Sequence, residues 1–187
     1  MKLVLPVNAQ DHSIGPTDAV VTVVNYGDYQ CVDCQSRHRQ VQKLIEALAN
    51  RVRFVYRHFP LINVHPDALR AAEAAEAAAT QGKFWEMHRL LYTSPNKLRD
   101  RDLHGHAKAI GLDIDRFDRD MADNTYASKI LKDYYHAINC GISGAPTTFI
   151  NGELYAMSGV ELLNVVQSIL ADSPATENKT STTASQS

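Results

Sequence analysis

The chain has 187 residues, a formal net charge of −2 at pH 7 and an isoelectric point near 6.4. This length fits one domain, or one domain with an insertion, that buries a substantial core. The near-neutral charge excludes the strongly basic balance of a nucleic-acid-binding protein, and no apolar run reaches the roughly 20 residues of a membrane span. We therefore expect no nucleic-acid partner and no membrane partner.

The N-terminal segment "MKLVLPVNAQDHS" contains one lysine and a short apolar stretch that Pro6 interrupts. It lacks the apolar segment of roughly 7–15 residues and the small-residue cleavage site of a secretory signal. The expected location is therefore the cytoplasm, or a periplasmic or other extracytoplasmic compartment if the chain is a processed form.

The stretch "NYGDYQCVDCQSRH" carries two of the three cysteines, Cys31 and Cys34, with two residues between them. Three cysteines are too few for a disulfide-stapled scaffold, and a loop this short adds little stability when it closes. The spacing instead suits a dithiol that opens and closes as a disulfide, or half of a metal site.

The elements around the pair are a strand, a helix and a second strand. Residues 19–26, "AVVTVVNY", are apolar and β-branched, which predicts a buried strand. The following helix is predicted by apolar residues at i, i+3, i+4 and i+7, namely Val41, Leu44, Ile45 and Leu48. Residues 51–59, "RVRFVYRHF", alternate as a strand and stop at Pro60.

This order places the cysteines between the end of a strand and the N-terminus of the following helix. The first backbone N–H groups of a helix have no internal acceptor and carry the positive end of its dipole, so a thiolate is stabilised there. Cys31 is then the exposed nucleophile. Cys34, one turn further on, is the buried thiol that resolves a mixed disulfide.

The middle of the chain is helical in pattern. Residues 65–92 are alanine-rich with a break near Gly82, and two shorter helices are predicted within residues 99–112 and from Asp113 onward. A further helical stripe runs through "YASKILKDYYHAI". Residues 64–139 therefore form a run of helices between strands.

Strand signals return after this helical run. Residues 147–150 predict a strand, Asn151-Gly152 is a hairpin turn signal, and residues 153–157 would pair back. A last helix is predicted in "GVELLNVVQSIL", with a stripe through Leu162, Val166 and Ile169. The small, polar residues 173–187 predict a disordered tail.

Taken together, "DYQCVDCQ", the long helical insertion and "GISGAPTTFING" resemble the DsbA-like branch of the thioredoxin superfamily, over residues 12–170. The resemblance implies an α/β fold: a thioredoxin-like core, with a mixed β-sheet flanked by helices, and an inserted all-helical domain. Residues 12–63 and 140–172 would form the core, and residues 64–139 the insertion.

The resemblance also implies a site. Cys31 and Cys34 would be catalytic, and Pro146 would follow a cis peptide bond beside them. Ala145 would offer its backbone N–H and C=O to an extended substrate peptide, a strand-like mode of recognition. The partners would be protein or peptide disulfides and thiols together with a redox partner, with no organic cofactor and no metal.

Two features depart from the family pattern. Val32-Asp33 stands between the cysteines, where strongly oxidising relatives carry Pro-His, and Asn25 stands where an acid usually relays protons to the buried cysteine. A carboxylate about 6 Å from the Cys31 sulfur opposes the thiolate by roughly 0.7 kcal/mol in water and about 2.8 kcal/mol at an effective dielectric near 20. We therefore expect these three residues to tune the pair toward a less oxidising site.

Other cysteines and histidines have simpler interpretations. Cys140 is expected to be a buried packing residue, His38 a solvated helix residue and His58 a satisfied strand-end histidine. A metal site that combines Cys31 and Cys34 with His38 is disfavoured, because structural zinc sites usually bring two paired ligand sets.

The sequence thus predicts a thiol–disulfide oxidoreductase. In a reducing cytosol the pair rests as a dithiol, which favours reductase or isomerase activity over net oxidation. The chief alternative is a metal-binding or redox-sensing protein that uses the same cysteines. A non-catalytic binding module and a glutathione-using enzyme of related fold remain further alternatives.

Overall fold

A five-stranded mixed β-sheet is central to the computed structural model, which describes residues 1–48, 50–156 and 161–172. The strands are β1 (His12–Ile14), β2 (Val21–Gly27), β3 (Val52–His58), β4 (Thr147–Ile150) and β5 (Glu153–Tyr155). Their order across the sheet is β1-β3-β2-β4-β5. The central β2–β3 pair is parallel, and the outer pairs are antiparallel.

Seven helices accompany the sheet within the described ranges. They are α1 (Val32–Leu48), α2 (Ala68–Ala79), α3 (Phe84–Thr93), α4 (Asp100–Ala109), α5 (Ile114–Ala122), α6 (Ala127–Asn139) and α7 (Leu162–Asp172). Helices α2–α6 all lie between β3 and β4, which confirms the predicted fold class of a thioredoxin-like sheet with a helical insertion. None of the described helices combines the length and apolarity needed to cross a bilayer.

The alternation of side chains along β2 and β3 gives the sheet two apolar faces. Val21, Val23 and Phe54 pack in one cluster with residues of α1, α2, α3 and α7. Val24 and Val55 pack in the other cluster with Phe149 and with residues of α6. Both central strands are buried on both faces, as expected for a parallel pair.

Most element boundaries agree with the sequence pattern. The break at Gly82 separates α2 from α3, where this residue takes a φ of +73° that favours glycine. Asp113 caps α5 by accepting a hydrogen bond of 3.0 Å from the N–H of Arg116. Asn151 and Gly152 both have positive φ, as a two-residue hairpin turn between β4 and β5 requires.

The sequence pattern does not predict strand β1, because three residues are too few to show an alternating pattern. It forms through antiparallel pairing with β3, which sets His12 opposite Tyr56. Strand β5 ends at Tyr155, earlier than the predicted 157, and Met157 lies outside the described residues. The predicted tail, residues 173–187, also lies outside them, and the proposed domain boundaries stay a prediction.

Candidate active site

The cysteine pair lies at the start of α1, directly beyond the end of β2. The carbonyl of Cys31 accepts the first intrahelical hydrogen bond, from the N–H of Gln35 at 3.1 Å, and Cys34 lies in the first turn. Both are free thiols, 7% and 1% exposed respectively. The strand-to-helix junction thus leaves Cys31 with a small accessible surface and buries Cys34.

The two thiols differ strongly in acidity. The pKa of Cys31 is lowered to about 6, chiefly by a hydrogen bond from the Cys34 side chain and further by the backbone N–H groups of Cys34 and Asp33, against the opposing effect of burial. The Cys31 thiolate and burial raise the pKa of Cys34 far above its ordinary value. At neutral pH the pair is therefore a Cys31 thiolate that accepts a hydrogen bond from a Cys34 thiol.

The side chains of Val32 and Asp33 do not enclose the sulfurs, since both are exposed. Solvent therefore screens the Asp33 carboxylate, while its backbone N–H supports the thiolate. The carboxylate that most raises the pKa of Cys31 is the buried Asp28. The role of the Asp33 carboxylate stays a prediction, and Asp28 acts as a second acid that separation along the chain does not show, because the chain does not reveal which side chain is buried.

Asp28 also holds the loops around the site. Its carboxylate accepts hydrogen bonds from the N–H groups of Gln30 at 2.7 Å and Leu61 at 2.8 Å. It also pairs with Nδ1 of His65 at 2.8 Å. These contacts join the segment after β2 to the segment after β3, so Asp28 fixes the position from which α1 begins.

The loop before β4 also contacts the cysteine pair. The carbonyl oxygen of Ala145 lies 3.6 Å from Cys31 Sγ, and the Ala145–Pro146 peptide bond is cis. The hydroxyl of Thr147 donates to the carbonyl of Gly144 at 2.6 Å, which tightens this loop. Ala145 is 114 residues from Cys31 in the sequence. The fold nevertheless places Ala145 and Pro146 at the edge of the site.

Asn25 is buried on β2, where its side-chain oxygen accepts a hydrogen bond of 2.8 Å from the Thr148 hydroxyl on β4. The position at which the resemblance implies an acid therefore holds a neutral, hydrogen-bonded amide. This amide cannot take up a proton from the buried cysteine.

A group of buried histidines and tyrosines lies behind α1. His38 is buried, which contradicts the prediction of a solvated residue. Its ring stacks on Tyr92 with centroids 4.6 Å apart, and burial lowers its pKa to about 4. Nδ1 of His88 lies 3.0 Å from the hydroxyl oxygen of Tyr29. The histidine spacing on α1 and α3 gives no sign of this cluster, because the contacts form between helices.

Two further predictions need correction. Cys140 is only partly buried, since it follows the last turn of α6. His58 is buried, but within the described part of the chain neither of its ring nitrogens has an aligned hydrogen bond, and Nε2 only lies 3.2 Å from the Glu76 carboxylate. Among the described residues, the three side chains close enough to hold a metal are His12, His58 and Glu76, a set without cysteine.

A buried Cys-x-x-Cys pair at the first turn of the helix after a central strand, faced by a cis-proline loop, defines a thioredoxin-fold dithiol site. The family model described as thioredoxin matches residues 7–167. The chain therefore belongs to the thioredoxin family.

Two solved structures illustrate the relationship. A thioredoxin-like oxidoreductase from Silicibacter pomeroyi is 29% identical, with a TM-score of 0.74 over 88% of this chain and 92% of that chain. The thiol-disulfide exchange protein alpha-DsbA2 of Wolbachia pipientis also has a TM-score of 0.74, over 88% and 87% of the two chains. At 22% identity the second likeness shows the fold alone.

Curated relatives match this chain over one segment of a larger protein. The Na(+)/H(+) antiporter NhaA 1 of Salinispora arenicola is 47% identical over 151 residues, which are 80% of this chain and 23% of the antiporter. NhaA 1 of Mycolicibacterium gilvum is 37% identical over 158 residues, 82% of this chain and 25% of that protein. The chain thus spans about a quarter of the length of these relatives.

The hydrogen bond between the two sulfurs makes a direct prediction. Cys34→Ala removes the donor, so the pKa of Cys31 should rise from about 6 toward the ordinary thiol value of about 8.5. The midpoint of the rate of iodoacetamide alkylation against pH measures this pKa. The background should carry Cys140→Ser, which leaves one reactive thiol in the variant. An unchanged midpoint would show that Cys34 does not stabilise the thiolate.

Proposed function

We propose that this protein is an enzyme that exchanges thiols and disulfides in proteins or peptides, with Cys31 as nucleophile and Cys34 as resolving thiol. The observation that carries the proposal is the asymmetry of the pair: a thiol that is 7% exposed and has a pKa lowered to about 6, beside a thiol that is 1% exposed and has a raised pKa. Only a thiolate attacks a disulfide, so this asymmetry supports the proposed order of events, with Cys31 first and Cys34 second.

The first step is attack on a substrate disulfide. The Cys31 thiolate bonds to one substrate sulfur, and the other substrate sulfur leaves as a thiolate that takes up a proton. The Cys31 sulfur is then neutral. The largest cause that raises the pKa of Cys34, its hydrogen bond to the Cys31 thiolate, is thereby lost.

The second step is therefore favoured by the first. The N–H of Asp28, which lowers the pKa of Cys34, remains in place while the opposing effect of the Cys31 charge disappears. Cys34 loses its proton to water and attacks the Cys31 sulfur, which forms the Cys31–Cys34 disulfide, and the second substrate sulfur leaves as a thiolate that takes up a proton. Two electrons pass from the dithiol to the substrate, and the reverse sequence oxidises a dithiol.

The substrate would lie along the loop that carries Ala145 and Pro146. The Ala145 carbonyl is 3.6 Å from Cys31 Sγ, so a peptide that pairs with this backbone would hold its sulfur beside the nucleophile. Recognition of the main chain in an extended conformation accepts many sequences, which suits an enzyme with several protein substrates.

The acidity of Cys31 bears on the direction of electron flow. A pKa of about 6 lies between about 7 for thioredoxin and about 3.5 for DsbA. We propose that the pair is a weaker oxidant than DsbA and acts as a reductase or isomerase in a reducing cytoplasm. In an extracytoplasmic compartment the same pair would need a partner to reduce it before it could act on a further disulfide.

The roles of the cysteines are tested by three variants and a protein disulfide substrate. Cys31→Ser should abolish insulin reduction, because the nucleophile is gone. Cys34→Ser should keep the attack but accumulate mixed disulfides, visible on a non-reducing gel. Cys140→Ser is the matched control and should keep most of the activity. Adducts that form through Cys34, or activity lost with Cys140 alone, would contradict the assignment.

The reduction potential tests the proposed direction. Because the Cys31 thiolate is less stabilised than in a strong oxidant, we expect a potential below about −120 mV, the value of DsbA. Equilibration with glutathione buffers, followed by thiol alkylation and mass measurement, gives this value. Asp33→His should raise the potential, since it removes a negative charge near the thiolate. A wild-type value at or above that of DsbA would refute the proposal of a weak oxidant.

A further inference from the structure

A second cluster of polar side chains lies at the sheet edge formed by β1, and it contains neither cysteine of the pair. His12 begins β1, His58 ends β3, and Glu76 lies on α2. Nε2 of His12 is 2.9 Å from Oε1 of Glu76, and Nε2 of His58 is 3.2 Å from the same oxygen. Side chains from three separate elements thus bring two imidazole nitrogens close to one carboxylate oxygen.

The spacing of these atoms fits a metal ion. The ligand atoms of the three residues all lie within 4.8 Å of one another. Zinc bonds to histidine nitrogen and carboxylate oxygen are about 2.0–2.2 Å, which places the ligand atoms of a tetrahedral site about 3.4 Å apart. The two imidazole–carboxylate separations, 2.9 Å for His12 and 3.2 Å for His58, therefore need to widen by only a few tenths of an ångström to admit the ion.

His58 provides an independent indication. Its side chain is 4% exposed, yet among the described residues Nδ1 has no hydrogen-bond partner and Nε2 has only the poorly aligned contact with Glu76 at 3.2 Å. Buried polar groups are rarely left without partners, because the lost hydration is costly. A metal bond at Nε2 would satisfy one of these nitrogens.

The cluster opens onto a cavity of about 600 Å³. His12, His58 and Glu76 all line it, together with Tyr56. Zinc sites with three protein ligands keep a fourth position for water or a small ligand, and this cavity provides the space for one. The ring of His12 also stacks on Phe84 with centroids 3.6 Å apart, which holds its orientation.

Lys129 competes for the same carboxylate. Its ammonium lies 3.0 Å from Oε1 of Glu76, but the side chain is 48% exposed and also lies 3.4 Å from Asp133. The lysine can therefore keep Asp133 as its partner when it leaves Glu76. A cation bound by the histidines would replace the lysine as the charge that balances Glu76.

We propose that His12, His58 and Glu76 bind a divalent transition-metal ion, with Zn²⁺ the ion that two imidazoles and a carboxylate suit best. The site joins β1, β3 and α2, so metal binding stabilises the attachment of the helical region to the sheet edge. It does not depend on the proposed thiol chemistry, because it uses none of the cysteines.

The test uses the full chain with Cys31→Ser, Cys34→Ser and Cys140→Ser, which removes every thiol ligand. Calorimetric titration with Zn²⁺ should show one site, and Co²⁺ should give visible ligand-field bands without thiolate charge transfer. Glu76→Gln and His12→Ala should each weaken Zn²⁺ binding at least tenfold. Lys129→Met should strengthen it, because the competing ammonium is gone. His104→Ala, an exposed histidine paired with Asp118, is the matched control and should change nothing.

Three outcomes would overturn the proposal: no Zn²⁺ or Co²⁺ binding by the cysteine-free chain, binding that persists in both Glu76→Gln and His12→Ala, or weaker binding in Lys129→Met. Circular dichroism establishes that each variant is folded. If Glu76→Gln does not fold, His12→Ala and Lys129→Met still decide the question, since they change partly exposed side chains and predict opposite effects.

Discussion

The hydrogen bond from the Cys34 thiol to the Cys31 thiolate is the interaction on which the chemistry of this molecule depends. It is the largest cause of the lowered pKa of Cys31, and the same contact raises the pKa of Cys34. One bond thus stabilises a thiolate on Cys31 and keeps the Cys34 thiol protonated. In the proposed exchange, bonding of Cys31 to a substrate sulfur removes the charge from this contact, so the reactivity of the pair changes between the two steps.

The fold holds this bond in place from several directions. Strand β2, paired in parallel with β3, leads into the start of α1, and Asp28 ties the segments that follow both strands to each other. The loop of Ala145 approaches Cys31 from the β4 side. The insertion contributes Tyr92 and His88, which lie against His38 behind the cysteines. The helical region is therefore part of the environment of the site.

Much of this arrangement follows from the sequence, because its signals are local. The period of Val41 and Leu44 gives α1, the spacing of Cys31 and Cys34 gives the dithiol, and the resemblance supplies the Pro146 loop. Features that depend on contacts between residues distant in the sequence cannot be predicted in this way. The short β1 exists only through its pairing with β3, His38 is buried only because α3 covers it, and Glu76 meets two histidines from separate strands. The periodicity of residues along the chain does not predict these long-range contacts.

Site-resolved NMR titration of both cysteines tests the central claim most directly. With ¹³Cβ labels in the reduced protein, the Cys31 resonance should shift with a midpoint near pH 6, while Cys34 should remain a thiol throughout the range in which the protein is folded. A midpoint for Cys31 near the ordinary thiol value, or titration of Cys34 before Cys31, would contradict the account of one thiolate stabilised by its neighbouring thiol.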